Sequence, residues 1–476
     1  MRKVDVAIIG AGTAGMGAYR AARAHTDNVV LIEGGPYGTT CARVGCMPSK
    51  LLIAAAEAAE AVRAAPGFGV HADPPRIDGA AVMDRVRSER DRFVDFVVEA
   101  VEGFDPEHRI KGNARFTGPH TLALDTGETI EAARIVVATG SVPVTPNMFD
   151  AMGDRLIVND DVFHWTDLPA SVAVFGAGAI GLELAQALSR LGVRVRLFGK
   201  GGGVGGISDP KVREVAARLF VDDLPFLPDA DVTDIRRDGD AVVIRFTQDS
   251  TAREERFDWL LAATGRKPAL EGLNLAASGL TLDDRGSPKI DPQTMQAGGS
   301  HIFFAGDVAA RIPLLHESAD DGRIAGDNAG RFPDLAPQSR RTPLAVVFTD
   351  PNIASVGMSY AALTEAGQDF ETGEVDFTAQ GRARVLRQNH GLLRVYGERD
   401  TGRLLGTEVV APRAEHLAHL LAWAIQSGMD AETALDMPFY HPVIEEGLRT
   451  ALRDLCAKLG RQPEPPPRSI DCGPGA

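Results

Sequence analysis

A chain of 476 residues with 65 acidic against 50 basic side chains carries a net charge of −15, which argues against the basic face that nucleic-acid or anionic-membrane binding requires. Its 44% hydrophobic and 24% charged content supplies apolar material for several cores, with a prior of about three domains. No apolar run reaches the roughly 18 residues of a membrane span, and four cysteines in this length fit a reducing compartment, so the expected location is cytoplasmic. The N-terminal run MRKVDVAIIGAGTAGMGA reads as the first strand and turn of a domain. Asp5 interrupts the apolar stretch a secretion signal needs, and the glycines keep a regular spacing.

Residues 3–35 run strand, Gly-x-Gly-x-x-Gly turn (Gly10, Gly12, Gly15), Ala-rich helix and second strand. Such glycines allow a tight turn and close backbone approach, and the helix N-terminus then faces a pyrophosphate. Glu33 closes the unit 21 positions after Gly12, where a carboxylate can accept both hydrogen bonds of an adenosine ribose. Residues 171–200 repeat the pattern with Gly176, Gly178 and Gly181. One such turn is weak support, whereas two copies framed by strand and helix point to two bound dinucleotides. The second copy ends in Gly199 and Lys200 with no carboxylate. Repulsion against a 2′-phosphate is thereby removed, and Lys200 or Arg196 could pair with one.

Between the two units lies GTTCARVGCMPSKLLIAAAE, with Cys41 and Cys46 five positions apart. A metal site ordinarily needs four ligands, and no histidine or third cysteine is near. A regular helix cannot bridge the pair, because five residues at 1.5 Å rise separate the Cα atoms by more than ~7 Å. The pair therefore straddles a distorted turn relieved by Gly45, with Pro48 as the first helical residue. Cys46 then lies at a helix N-terminus, where the dipole favours thiolate, a placement suiting a reactive pair better than a structural staple.

Each dinucleotide unit is followed by an apolar strand ending in Ala-Thr-Gly, RIVVATGSVP (134–143) and WLLAATGRKP (259–268), and a further strand, HIFFAGDVA (301–309), ends in Gly306-Asp307. From 341 to 460 alternating strands and then two helical stretches suggest an α+β domain, before a Pro-rich tail predicted to be disordered. His441 opens HPVIEEGLRTAL. Thiol oxidation needs a base near pH 7, which imidazole supplies, and a carboxylate behind it would fix its tautomer.

Cys-x-x-x-x-Cys with Pro-Ser-Lys, both glycine turns, ATGRKP, FFAGDVA, VFTDPNIASVG and HPVIEE together resemble the class I flavin-dependent pyridine nucleotide–disulfide oxidoreductases, and among them the dihydrolipoyl dehydrogenases, from about residue 3 to 458. The resemblance implies an α/β fold of two Rossmann-like dinucleotide-binding domains and a C-terminal α+β dimerisation domain. It divides the chain into an FAD-binding part (1–148), an NAD(P)-binding domain (149–268), a second FAD-binding or central part (269–340), a dimerisation domain (341–459) and a tail (460–476). FAD would be held by Gly10, Gly12, Gly15, Glu33, Lys50, Thr139, Gly140, Gly306 and Asp307, the last on its ribityl chain. NAD or NADP would be held by Gly176, Gly178, Gly181, Glu183, Lys200 and Gly265. Glu183 would also pair with Lys50 beneath the flavin. By the same resemblance Cys41 would be the thiol that exchanges with substrate and Cys46 the one against the flavin. The resemblance would make His441 the base, reaching the cysteines of the partner subunit in a homodimer, with Glu446 rather than Glu445 behind it. His316 falls in a segment near the cofactor without a catalytic role.

Where the family usually has Gly-Gly-Thr-Cys and an Asn within the cysteine loop, the chain has Gly38-Thr39-Thr40-Cys41 and Arg43. Arg43 either lowers a thiol pKa or selects an anionic substrate, or else points into solvent. Cys472 in the tail is a single thiol where metal-ion reductases carry a pair, and Cys456 is expected to be packed. The expected function is oxidation of dihydrolipoamide by NAD through a redox-active Cys41–Cys46 disulfide and FAD. The partners would be a small dithiol, a disulfide or a lipoyl-carrier protein. The alternatives are an NADPH-dependent reductase of another disulfide such as glutathione, a metal-ion reductase, and a flavin redox sensor without turnover.

Overall fold

The computed structural model describes residues 1–461, so Cys472 and the expected tail disorder lie outside the described residues. At the centre of the first sheet, Arg2–Ile9 pairs in parallel with Val29–Glu33 on one side and Thr129–Val137 on the other. Arg109–Lys111 extends the sheet beyond Val29–Glu33, and Ile302–Phe304 joins the C-terminal half of Thr129–Val137. Antiparallel Thr121–Leu124 and Ala114–Gly118 complete seven strands. The central strands become continuous apolar runs at Val6–Ile9, Val29–Ile32 and Ile135–Val137, where helices cover the sheet and both faces are buried.

Helices Thr13–Ala22 and Leu315–Arg331 cross in close backbone contact. A Cβ on Gly322 would fall 2.1 Å from the Ala14 oxygen, and one on Gly326 would fall 2.2 Å from the Ala18 oxygen. A side chain at either position forces the helices apart. Gly326→Val is expected to destabilise the fold by about 1–3 kcal/mol through overpacking, read as a lowered thermal midpoint with early loss of flavin.

The second sheet is all parallel, in the order Phe226–Leu227, Arg194–Phe198, Ser171–Phe175, Trp259–Ala262, Leu156–Ile157. A three-stranded antiparallel layer, 231–257, packs on it. The chain passes into and out of this unit through two short strands, Ser141–Pro143 and Arg266–Pro268, which pair antiparallel. A third, five-stranded antiparallel sheet spans 344–411. Its core is closed by helices Ala414–Gln426 and Glu446–Lys458.

Two fully buried carboxylates join the second unit to this last sheet. Asp209 accepts from the Tyr396 hydroxyl at 3.0 Å and pairs with Arg394. Glu408 accepts from the backbone N–H groups of Ser208 and Asp209 at 2.9 and 2.6 Å. Each charge is satisfied by several donors, which is what permits its burial. The α/β architecture with an appended α+β unit is the one the resemblance implies. Among the described residues, no helix is long and apolar enough to cross a membrane.

Candidate active site

The two cysteines sit on two helices that meet at one glycine. Thr40–Val44 is a short helix capped by Thr39, whose side chain accepts from the Ala42 N–H at 3.2 Å. Gly45 breaks it with φ −126° and ψ −116°. A Cβ there would lie 3.0 Å from the Thr40 oxygen and 3.2 Å from the Cys41 Cα, so a side chain would push the doubled-back chain apart by a few tenths of an ångström. The helix Cys46–Ala64 starts at Cys46 itself, two residues before the expected start at Pro48. Proline is tolerated there because the first turn of a helix has no intrahelical partner for its N–H groups.

Cys41 and Cys46 are both free thiols, and the Cys41 thiol hydrogen-bonds to the Cys46 sulfur. That bond, with help from the Lys50 charge, holds Cys46 down to about 7, against the opposing effect of partial desolvation of its sulfur. Cys41 keeps the shared proton and is pushed well up, burial adding to the effect. Lys50 Nζ lies 2.7 and 2.9 Å from the carboxylate oxygens of Glu183. Glu183 is buried on helix Ala179–Arg190 and also accepts from the Phe348 N–H at 2.9 Å. The ammonium is 4.6 Å from the centre of the Phe348 ring. Arg43 lays its stem against Gly38, and its charge reaches Asp160, whose carboxyl burial pushes up.

The two glycine turns are near copies. Gly10 and Gly176 have φ of +104° and +109°, and a Cβ on them would fall 2.4 and 2.2 Å from the oxygens of Ala138 and Ala263. On Gly15 and Gly181 it would fall 1.8 Å from the oxygens of Gly10 and Gly176. Nothing lies within 4 Å of the Cβ direction of Gly12 or Gly178. That open face before a helix N-terminus fits a pyrophosphate in both units.

Around the first turn, the Glu33 carboxylate is braced by the N–H groups of Ala11 at 2.8 Å and Gly35 at 2.7 Å. Thr139 Oγ1 donates to the Ala269 oxygen at 2.8 Å, next to Gly140. Gly306 N–H donates to buried Asp321 at 3.2 Å. Asp307 accepts from Ser141 Oγ at 2.6 Å and Ser318 Oγ at 3.2 Å. His316 is exposed in the first turn of helix Leu315–Arg331. These residues fit an FAD laid along the first unit.

In the second unit Gly265 is open on its Cβ side, like Gly140. Arg196 is not available to a 2′-phosphate, because Glu255 takes its guanidinium. Lys200 is exposed, and its ammonium has no hydrogen-bond or ion-pair partner among the described residues. Ser141 and Arg266 escaped the sequence reading, although each directly follows the glycine of a repeated Ala-Thr-Gly, a signal that could have found them.

His441 precedes its helix by five residues, in the turn that leads to Glu446–Lys458. Its Nδ1 lies 2.9 Å from Glu446 Oε1. Glu446 is buried and also accepts from the Val443 N–H at 3.1 Å and from Arg449 at 3.4 Å. Glu445 instead lines an adjacent cleft with Arg382, Arg413 and His416. With its Nδ1 fixed, the imidazole side chain remains 63% exposed, and no hydrogen bond joins it to either cysteine of its own chain among the described residues. Cys456 is buried in the last helix.

Residues 4–322 match the pyridine nucleotide-disulphide oxidoreductase family, and residues 344–452 match the dimerisation domain of the same family. A mercuric reductase of Streptomyces lividans is 32% identical over 96% of this chain and 97% of its own. Dihydrolipoyl dehydrogenases of Haloferax volcanii and Halobacterium salinarum are 32% and 33% identical, each over 94% of this chain and 95% of theirs. Among solved structures, LpdA from Mycobacterium tuberculosis superposes with a TM-score of 0.80 at 24% identity, covering 95% of this chain and 99% of its own. The flavoprotein disulfide reductase RclA of Escherichia coli gives 0.78 at 23%, over 95% and 99%. Both likenesses speak to the fold. With its paired thiols and two dinucleotide cradles, the chain belongs to the pyridine nucleotide–disulphide oxidoreductase family, as a homodimeric FAD-dependent oxidoreductase that uses FAD and NAD(P).

Proposed function

We propose that the chain oxidises a small dithiol, dihydrolipoamide or a lipoyl group on a carrier protein, and delivers the electrons to a nicotinamide. The observation that carries this reading is the His441–Glu446 pair, an imidazole oriented by a buried carboxylate and presented outward. A dithiol becomes a nucleophile only after a sulfur loses its proton, and a base of this kind removes it. A metal ion has no such proton to lose. Relatives named for both activities match this chain at similar identity, so the discrimination rests on this base.

In this reading His441 of one subunit serves the cysteines of the other. It takes a proton from the substrate, and the resulting thiolate attacks Cys41 of the Cys41–Cys46 disulfide, expelling Cys46 as thiolate. The second substrate sulfur then attacks the first, closing the substrate disulfide and releasing Cys41, which takes up a proton. The substrate loses two electrons and the pair gains them. The hydrogen bond from Cys41 and the Lys50 charge stabilise the Cys46 thiolate so formed. FAD, when bound in the first unit, supplies the two-electron relay between the pair and the nicotinamide. The division of the chain at 148, 268 and 340 belongs to the same reading. Steady-state kinetics test it. We expect kcat/KM for dihydrolipoamide with NAD+ to exceed that for glutathione disulfide with NADPH, and negligible turnover with the first couple would sink the proposal.

One observation favours a second reading, an NADPH-driven disulfide reductase. The strand Arg194–Phe198 is followed by Lys200 with no carboxylate at the ribose position, and its ammonium has no hydrogen-bond or ion-pair partner among the described residues. Lys200→Glu is expected to shift the ratio of kcat/KM for NADP(H) over NAD(H) by about tenfold toward NAD(H), from loss of one charge pair and gain of a repulsion. An unchanged ratio would remove Lys200 from nucleotide selection.

A further inference from the structure

We propose that Asn159 is a positioning residue for the cysteine pair: its amide, held from behind by Arg266, pins the Val44 carbonyl and with it the turn that brings the two sulfurs together. Val44 is the last residue of the short cysteine helix, directly before Gly45. The C-terminal carbonyls of a helix have no intrahelical partner, and Asn159 Nδ2 supplies one to Val44 at 3.0 Å. Asn159 is 7% exposed and sits on the second unit, just past the strand Leu156–Ile157. The pin therefore crosses from one dinucleotide unit to the redox loop of the other.

The amide has one possible orientation. Arg266 has only donors to offer, and its guanidinium approaches Asn159 Oδ1 at 3.4 Å, so the nitrogen must face Val44 and Asp160. Arg266 is itself fixed, donating to Ser141 Oγ at 2.9 Å and to the Ser141 carbonyl at 2.8 Å. Ser141 in turn donates to Asp307 at 2.6 Å. A continuous run of hydrogen bonds thus joins Asp307, at the strand crossing between the units, to the backbone of the cysteine turn.

Without the amide the Val44 carbonyl loses its partner and the Gly45 turn can relax. The two sulfurs then meet less often, which lowers their effective concentration toward each other and makes the disulfide easier to reduce. The hydrogen bond from Cys41 to Cys46 weakens at the same time, while Lys50 and Glu183, the other charged groups facing Cys46, are untouched. The inference rests on the redox role of the cysteine pair but not on the identity of the substrate.

The test equilibrates the FAD-loaded protein in dithiothreitol buffers of fixed reduced-to-oxidised ratio. As the Cys41–Cys46 bond opens and takes up two electrons and two protons, reduced dithiothreitol loses them and closes its ring. Acid quenching, alkylation and intact mass then count thiols on the chain itself. For Asn159→Ala we expect a shift toward the dithiol of roughly tenfold, about 30 mV for a two-electron couple. The pH midpoint of Cys46 alkylation should also rise from about 7. Asn159→Ser, too short to reach the carbonyl but gentler on packing, should move both quantities the same way. Flavin absorbance and thermal midpoint verify that each variant is assembled. If the thiol–disulfide equilibrium of both variants stays within twofold of the parent, or the alkylation midpoint does not move in either, the proposal is overturned.

Discussion

Cys46→Ser is expected to lower dithiol–nicotinamide turnover by at least about 10⁴-fold, while the protein keeps its flavin and its fold. Cys46 occupies the first residue of its helix and is exposed, so a serine fits without repacking. What is lost is the sulfur that leaves as a thiolate. The companion substitutions at Cys41 separate geometry from chemistry. In the parent, Cys46 is held down to about 7 first by the hydrogen bond from Cys41 and then by Lys50. Below that pH it is protonated and alkylates slowly, and above it the thiolate is fully available. Cys41→Ala removes the donor, and the alkylation midpoint should climb toward the ordinary thiol value of about 8.5. Cys41→Ser keeps a hydroxyl donor and should climb less. Both Cys41 variants should be equally inactive in turnover. A Cys46→Ser protein that retained even a tenth of parental turnover would remove the pair from the catalytic path.

The cysteine turn was legible because its physics is local. Five positions exceed what a regular helix can bridge, so a break at Gly45 followed from geometry alone. The start of the helix at Cys46 rather than Pro48 was not legible, since proline is acceptable anywhere in the first turn. The paired glycine turns were readable for a similar reason: their spacing is a steric requirement, and the Cβ positions that collide with Ala138 and Ala263 explain it. Arg196 was misjudged as free because its partner, Glu255, comes from the three-stranded layer, and no periodicity announces a contact between such distant segments. Asn159 carried no signal at all. Its value depends on where Val44 and Arg266 lie in space, and a lone asparagine opening a short helix is ordinary in any sequence. Ser141 and Arg266 fall between these extremes, marked by an internal repeat yet explicable only once the two strand ends are seen to pair.

His441→Gln is expected to reduce turnover of a dithiol by about 10²–10⁴-fold, the usual contribution of a positioned base. Glutamine preserves a polar side chain at the exposed position but cannot accept and hold a proton near neutral pH. Glu446→Gln should fall in the same direction with a smaller loss, because the imidazole remains and only its orientation and the support of its charged form are weakened. The decisive form of the experiment mixes chains. A Cys41→Ser subunit retains His441, and a His441→Gln subunit retains both cysteines. If the site is built across the subunit interface, a mixed dimer holds one complete site and one doubly damaged site. Random reassociation of equal amounts makes half the dimers mixed, so the mixture should recover about a quarter of parental activity from two nearly inactive proteins. If His441 serves the cysteines of its own chain, no mixed dimer contains a complete site and nothing is recovered. The 63% exposure of the imidazole in a single chain, together with a backing carboxylate that is itself buried, is what a base built to act on another subunit requires. The Nδ1 side is fixed within the chain, and no hydrogen bond among the described residues occupies the other side of the ring, which is the side the proposed shared site would use.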